Sequence, residues 1–304
     1  MPAPLVVLAG PTAVGKTGLS LELARRFSAE IVGADSVQIY RGLDIGSAKP
    51  TPAEQAQARH HLIDVADPAE NFSAARYARL AAEAIDDISA RGKRALVVGG
   101  TGLYIKALIF GLAPTPPVDE AMRARLKEEW KHQGPQAMHQ RLMELDPDTA
   151  AKLHPNDRQR VLRALEVCQQ TGAPMSRRQQ AHGFAQARYP HLMIGLERPR
   201  AELNQRIEER ARAMWDQGLL AEVENLLAAG TPPEAPGLAS LGYRQAMAFL
   251  RGEMRSEDAL FDMIKKTKAY AKRQLTWFRG VRGLAWHHAD DSVGIGRRVS
   301  AFWS

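Results

Sequence analysis

Cysteine is almost missing from this chain of 304 residues, where Cys168 stands alone. One thiol makes no internal disulfide and supplies no set of zinc ligands, so a disulfide-stapled scaffold and a cysteine-based zinc module are both excluded. Cys168 shares a helical apolar face with Val161 and Leu165 and reads as core. Long apolar runs are missing as well. Nothing approaches the roughly 20 residues that span a bilayer. The N-terminal apolar run is too short for a signal peptide and has no basic leader, so the expected setting is the cytoplasm without membrane attachment. Internal repeats and low-complexity tracts are also absent. What remains is ordinary globular composition, 45% apolar and 25% charged, at a length that suggests about two domains. Acids are in deficit, 34 against 41 Lys and Arg, for a net charge of +7.

The most informative stretch is Gly10-Pro11-Thr12-Ala13-Val14-Gly15-Lys16-Thr17, which fits G-x-x-x-x-G-K-[ST] at every fixed position. Its surroundings fit too. Leu5-Val6-Val7-Leu8-Ala9 reads as a buried strand before it, and Leu19, Leu23 and Phe27 recur at helical spacing behind it. Glycines let the backbone turn its N–H groups inward, and a helix N-terminus adds partial positive charge. Such a loop is by class a nucleotide-binding, typically ATP-binding, element and predicts a bound diphosphate or triphosphate. Lys16 is expected along the terminal phosphates, with the Thr17 hydroxyl on Mg²⁺. Gly18 costs the following helix about 1 kcal/mol relative to Ala.

Beyond the loop the chain alternates strands and helices. Glu30–Ala34 reads as a second strand ending at Asp35-Ser36-Val37-Gln38. In an open parallel sheet, ligands bind at the carboxyl ends of strands, so Asp35 and the phosphate loop are expected on one crevice. Asp44–Pro50 reads as a polar loop, and His60–Val65 as a short strand whose paired histidines are structural. Adjacent strand residues point to opposite faces, and no third metal ligand is near. A helix over 73–90, capped by Ser73, precedes the strand Arg94–Val98. That strand ends in Gly99-Gly100-Thr101-Gly102, where a motor or switch NTPase usually has an acid. Glycines there favour close approach by a ligand over activation of water.

The prolines of Leu112–Pro117 mark a boundary. The next stretch is charged, rich in Gln and helical, with its clearest helix after Asn156 as cap. On that helix Val161, Leu165 and Cys168 face inward, and Gln159, Arg160 and Arg163 outward. Leu192–Leu196 returns to strand character and is followed by a helix with Arg206 and Arg210 one turn apart, in reach of the phosphates. Leu284–His287 reads as the last strand. From Lys265 to Arg282 there are seven basic residues and no acid, with Tyr270, Trp277 and Phe278 interleaved. That pairing suits a nucleic-acid backbone with splayed bases; the alternative is a solvated face with core aromatics.

Taken together these motifs resemble the tRNA dimethylallyltransferases, or IPP transferases. The likeness covers nearly the whole chain. It rests on the phosphate loop, Asp35–Tyr40, Asp44–Pro50, Val98–Tyr104, Gln159–Glu166, Gly242-Tyr243-Arg244-Gln245 and Lys272–Arg279. Ser47 stands where the family usually has Thr, which keeps the hydroxyl. The resemblance implies an α/β fold: a P-loop NTPase-like parallel sheet flanked by helices, with an all-helical insertion domain. The expected division is a catalytic core of 1–116 and 186–304, ending in tRNA-binding helices, and a mobile tRNA-binding insertion over 117–185.

The implied reaction moves a dimethylallyl group from dimethylallyl diphosphate to N6 of the adenine 3′ to the anticodon, releasing diphosphate. Residues 10–17 and Arg210 would bind the diphosphate, with Lys16, Asp35 and Thr101 catalytic and Mg²⁺ as cofactor. Asp35 would take the amine proton. Contacts to the tRNA anticodon stem-loop would come from Asp35, Ser36, Val37, Gln38, Thr101, Arg123, Gln159, Arg160, Val161, Leu162 and Arg163. The C-terminal part would add Gly242, Tyr243, Arg244, Lys272, Arg273, Gln274, Leu275, Thr276, Trp277, Phe278 and Arg279. Insertion and C-terminal helix are thus expected as two jaws, in a monomer needing no stable protein partner. Two other readings compete. A small-metabolite kinase would leave the basic aromatic helix unused, and an RNA-remodelling NTPase would lack its strand-end acid.

Overall fold

Leu5–Ala9 forms β1, buried on both faces, as befits an apolar strand in the middle of a parallel sheet. The computed structural model describes residues 2–117, 119–184 and 186–304. After β1 come α1 (Lys16–Phe27), β2 (Ala29–Ala34), α2 (Pro52–Gln55), β3 (His60–His61), α3 (Ala74–Ala90), β4 (Arg94–Gly99) and α4 (Gly102–Phe110). The insertion carries α5 (Glu120–Leu145), α6 (Pro147–Ala150), α7 (Arg158–Thr171) and α8 (Met175–His182). The chain then returns with β5 (His191–Glu197), α9 (Arg200–Asp216), α10 (Leu219–Ala228) and α11 (Tyr243–Leu250). It ends with α12 (Ser256–Arg279), β6 (Ala285–His288) and α13 (Ser292–Trp303).

The six strands pair in parallel in the order β3-β2-β4-β1-β5-β6. Chain order reverses beside β1, so the carboxyl ends of β1, β2 and β4 open on the switch-point crevice where such sheets bind ligands. Gly15 turns the chain from β1 into α1 at φ 109°, a conformation that a Cβ disfavours. Ser73 caps α3 by accepting from Arg76 N at 3.1 Å. His61 bonds Glu30 at 2.7 Å and His60 bonds Ala58 O, so both histidines are structural.

Contacts divide the chain into one unit of residues 1–109 and 188–304 and another of 110–187. The first boundary therefore precedes the prolines instead of falling among them after Pro116. The reason is local: Arg163 of α7 donates to Thr115 Oγ1 and Pro116 O, which ties the proline stretch to the insertion. The expected second boundary, at 185, falls on a residue outside those described. Within the insertion, α5 breaks at Gly134-Pro135, and Leu126, Met138, Leu142, Val161 and Leu165 form a core of their own. The cap of α7 is Asp157, not Asn156; Asp157 Oδ1 accepts from Arg160 N.

Candidate active site at the strand ends

The phosphate loop is braced from several elements. Lys16 Nζ donates to Gly10 O at 3.0 Å and Pro11 O at 2.8 Å. Three arginines reach the loop from the end of β5 and from α9. Arg198 Nε donates to Val14 O and Arg206 Nε to Ala13 O, both at 2.9 Å, and Arg210 bonds Thr12 Oγ1. Arg198 was not singled out from sequence, although its place just past a strand end was the available signal. Its charge is balanced by Asp290 and Glu202, leaving Arg206 and Arg210 as the arginines that line the cavity over the loop. That cavity holds about 530 Å³, and Lys16, Thr17, Asp35, Gln38, Ser47 and Tyr270 also line it. Burial pushes the Lys16 ammonium down to about 8, with Asp35 opposing the shift and Arg210 adding to it.

Asp35 sits where β2 ends. Its Oδ1 accepts from Val37 N at 2.8 Å and Gln38 N at 3.3 Å, an Asx-type turn that fixes the carboxylate. Gln38 in turn donates to Ser47 O and Ala48 O, coupling the Asp35 turn to the loop over 44–50. Thr101 does not line the cavity. Its Oγ1 accepts from Ser36 N at 3.1 Å, and its bond to the Tyr270 phenol opposes the rise that burial and the nearby Asp35 charge impose, to about 12. Thr101 thus holds Ser36 and Tyr270 in place.

Gln274 ties the whole arrangement together. Its Oε1 accepts from Thr12 N and its Nε2 donates to Gly100 O, both at 2.9 Å. The glycines after β4 admit these neighbours: a Cβ on Gly100 would strike the Gln274 amide, and one on Gly102 the Trp277 indole. The close approach expected there from a ligand is made by α12 itself.

The loop over 44–50 has an anchor that sequence reasoning missed. Glu222 of α10 accepts from Asp44 N at 3.1 Å, Ile45 N at 2.7 Å and Gly46 N at 3.3 Å. Nothing local marks Glu222, since its partners are 176 to 178 residues away. Tyr243, expected at the RNA, is fully buried and donates to Glu222. Its phenol supports the loop through Glu222, as a buried hydroxyl requires a partner.

Other expected RNA contacts divide in the same way. Val161 and Leu162 are buried in the insertion core, and Phe278 in the main unit, so their side chains hold helices together. Gln274 is buried and committed as described, and Leu275 packs against the sheet core. Arg123 and Arg163 each pair with Glu166 at 3.1 Å, a carboxylate only 1% exposed that needs both charges. Gln159, Arg160, Arg244, Lys272, Arg273, Thr276, Trp277 and Arg279 are exposed. Gly242 is buried at the start of α11.

Magnesium fits this donor set in one form. Among the described residues no three His, Cys, Asp or Glu converge on a metal position. Thr17 and Ser47 hydroxyls and the Asp35 carboxylate line the cavity, all hard oxygen donors. An ion completed mainly by diphosphate oxygens and water suits magnesium, which dehydrates reluctantly.

A parallel sheet with a phosphate loop, an acid at the next strand end and a basic helix closing the crevice defines a phosphate-loop α/β protein with its candidate site at the strand ends. The sequence model of the family described as IPP transferase matches residues 38–281. The chain belongs to the IPP transferase family. It is 50% identical over 288 residues to "tRNA dimethylallyltransferase 2" of Geotalea uraniireducens, covering 95% of this chain and 93% of that one. With the "tRNA dimethylallyltransferase" of Geobacter sulfurreducens it shares 47% over 282 residues, 93% and 91% of the two chains. The crystal structure of the full-length tRNA isopentenylpyrophosphate transferase from Bacillus halodurans superposes with a TM-score of 0.74 at 36% identity, covering 99% of this chain and 97% of that one. A eukaryotic dimethylallyltransferase acting on tRNA gives 0.80 at 28% identity, covering 98% and 77%.

Proposed function

We propose that the protein transfers a dimethylallyl group from dimethylallyl diphosphate to the exocyclic N6 of an adenine in the tRNA anticodon loop. One observation carries this reading: Asp35 lines the same cavity as Lys16, Thr17 and Arg210. A proton acceptor therefore faces the place where the phosphate loop would hold a leaving diphosphate. The C–O bond of the donor breaks and its electron pair stays on the diphosphate oxygen. The N6 lone pair forms the new C–N bond, and the N6 proton passes to the Asp35 carboxylate. Lys16, Arg210 and the loop N–H groups stabilise the charge that develops on the diphosphate. Magnesium, held at Thr17 and by the diphosphate, would supply further neutralisation of that charge.

The adenine must leave its stack to reach Asp35, at a cost of a few kcal/mol. Stacking on an aromatic such as the exposed Trp277 returns ~1–3 kcal/mol per base. Within the main unit the exposed Lys272, Arg273 and Arg279 add phosphate contacts, and within the insertion Gln159 and Arg160 are available.

The test is incubation with Mg²⁺, isotope-labelled dimethylallyl diphosphate and total tRNA, followed by digestion and a search for labelled N6-prenyladenosine. ATP with the same tRNA is the control. Asp35→Ala is expected to lower turnover ~10²–10⁴-fold, with tRNA affinity held within a few-fold. Near wild-type turnover in that variant removes Asp35 as the base. ATP consumption with unmodified RNA removes the reaction.

A further inference from the structure

A second cavity of about 250 Å³ opens off the phosphate cavity, sharing Thr12, Asp35, Ser47, Arg210 and Tyr270 with it. Ser36, Val37 and Gly46 flank that shared mouth, and the other walls are chiefly apolar: Ile207, Ala211 and Met214 from α9, Leu241 before α11, and Met263 from α12. Besides Ser36, two further hydroxyls line it, and both are committed to backbone. Ser240 Oγ donates to Gly237 O, and Thr267 Oγ1 to Met263 O at 2.7 Å. Away from the end that carries Asp35 and Ser36, then, an adenine would leave ring nitrogens unpaired, a cost that a hydrocarbon does not incur.

We propose that this cavity receives the five-carbon tail of the allylic donor and that Met263 and Met214 set the length of chain it admits. The proposal rests on the reaction stated above. With the diphosphate on the phosphate loop, the tail needs an apolar space beginning beside Asp35, and this cavity begins there. Both methionines are buried members of the cluster that also contains Tyr243 and Leu219, so the floor is backed by packed core. Met263 has little room to withdraw, since a side chain at Gly242 would meet its Cε at 3.3 Å. Tyr270 stands at the junction of the two cavities, where the carbon losing its oxygen would lie. Its ring face and the thioether sulfurs suit a developing allylic cation, and the dry wall protects that cation from water.

The experiment measures kcat/KM for dimethylallyl and geranyl diphosphate with saturating tRNA in wild type, Met263→Ala and Ala211→Leu. Met263→Ala enlarges the cavity and is expected to raise the geranyl-to-dimethylallyl ratio by about 10-fold or more. Ala211→Leu fills it and is expected to lower dimethylallyl transfer by about 10-fold through the donor KM. Inhibition by inorganic pyrophosphate should stay within about two-fold in both, since the phosphate loop is untouched. If Met263→Ala does not give folded protein, Met214→Val reads the same ratio. A donor ratio unchanged in both directions overturns the proposal, and so does a change confined to the tRNA KM, which would put the adenine in this cavity. Wild-type protein that transfers neither prenyl group overturns the underlying reaction itself, a result visible before any variant is made.

Discussion

Tyr243 donates its phenolic proton to Glu222 Oε1 at 2.6 Å, and that same carboxylate collects the N–H groups of Asp44, Ile45 and Gly46. Burial, then the adjacent Glu222 charge, raises the phenol far above its ordinary value, so it stays a donor across the working pH range. The loop thus held carries Ser47 and Ala48 over the phosphate cavity and is bonded by Gln38 to the Asp35 turn. Tyr243→Phe removes one hydrogen bond to a charged acceptor and should cost about 1.5–3 kcal/mol of stability. Glu222→Gln presents an amide where four donors converge and should cost at least as much. Thermal melts check the stability; the donor KM should rise in both variants, because the loop loses its anchor. A KM unchanged beside a lowered melting temperature would confine the pair to stability.

Lys16 supplies a pH signature. Its pKa falls from 10.5 to about 8 in the folded, ligand-free protein. Below that value the ammonium is charged and attracts diphosphate; above it the attraction is lost. Pyrophosphate affinity should therefore weaken as pH rises through about 8, with proton uptake on binding between that pH and 10.5. Calorimetry in buffers of different ionisation enthalpy measures that uptake, and Lys16→Ala should abolish the part not due to pyrophosphate itself. The linked stability effect has the opposite sign. Over the same window the unfolded chain binds the extra proton, so this group makes the ligand-free protein more stable as pH rises.

Glu30 gives the acid-side counterpart. Its side chain is 2% exposed and gathers both Arg91 guanidinium nitrogens, His61 Nε2 at 2.7 Å and Lys93 Nζ at 3.1 Å. The Arg91 bonds, chiefly, hold its carboxyl well below the usual carboxylate range in spite of burial. A depressed carboxylate contributes stability above its unfolded value of 4.5 and loses it as pH falls below that. Glu30→Gln should cost roughly 1–3 kcal/mol near neutrality. Melts below pH 4.5 should then bring wild type and variant together; curves that stay parallel would show that Glu30 contributes no acid limb.

Local pattern explains what could be foreseen. The β1 run, the phosphate loop and the Ser73 cap are each specified by neighbours within a few residues, so period and motif sufficed. Asp35 followed from one rule of parallel sheets. The partners of Glu222, Gln274 and Glu166 stayed hidden for the converse reason. Gln274 meets Thr12 across 262 residues, and no periodicity encodes such a partner. The seven-residue displacement of the first domain boundary (116 expected, 109 found) has the same origin, since Arg163 holds the prolines from a distant helix. Family motifs marked stretches such as Gly242–Gln245 as functional without separating the buried Tyr243 from the exposed Arg244.

Helix α12 makes that separation testable on one element. Its buried face carries Met263, Thr267, Ala271, Gln274 and Phe278, and its exposed face Lys265, Lys272, Arg273 and Arg279. Lys272 and Gln274 are two positions apart and so lie on different faces. If the exposed face follows a phosphate backbone, Lys272→Ala and Arg279→Ala should weaken tRNA binding similarly for all tRNAs. Each should also reduce the slope of log K against log salt by roughly 0.7–0.9, the release of one counterion. Turnover at saturating tRNA should hardly change, since neither residue lines the cavity. Gln274→Ala should do the reverse. It leaves Thr12 N and Gly100 O without their partner and frees the phosphate loop from the strand end after β4. Turnover should fall by an order of magnitude or more, about the effect of misplacing reacting groups by an ångström, while the salt slope stays that of wild type. Filter binding over a salt series, paired with single-turnover transfer, separates the two outcomes. A slope that drops in Gln274→Ala, or a turnover that collapses in Lys272→Ala with tRNA saturating, would show that the helix does not divide its work between its faces.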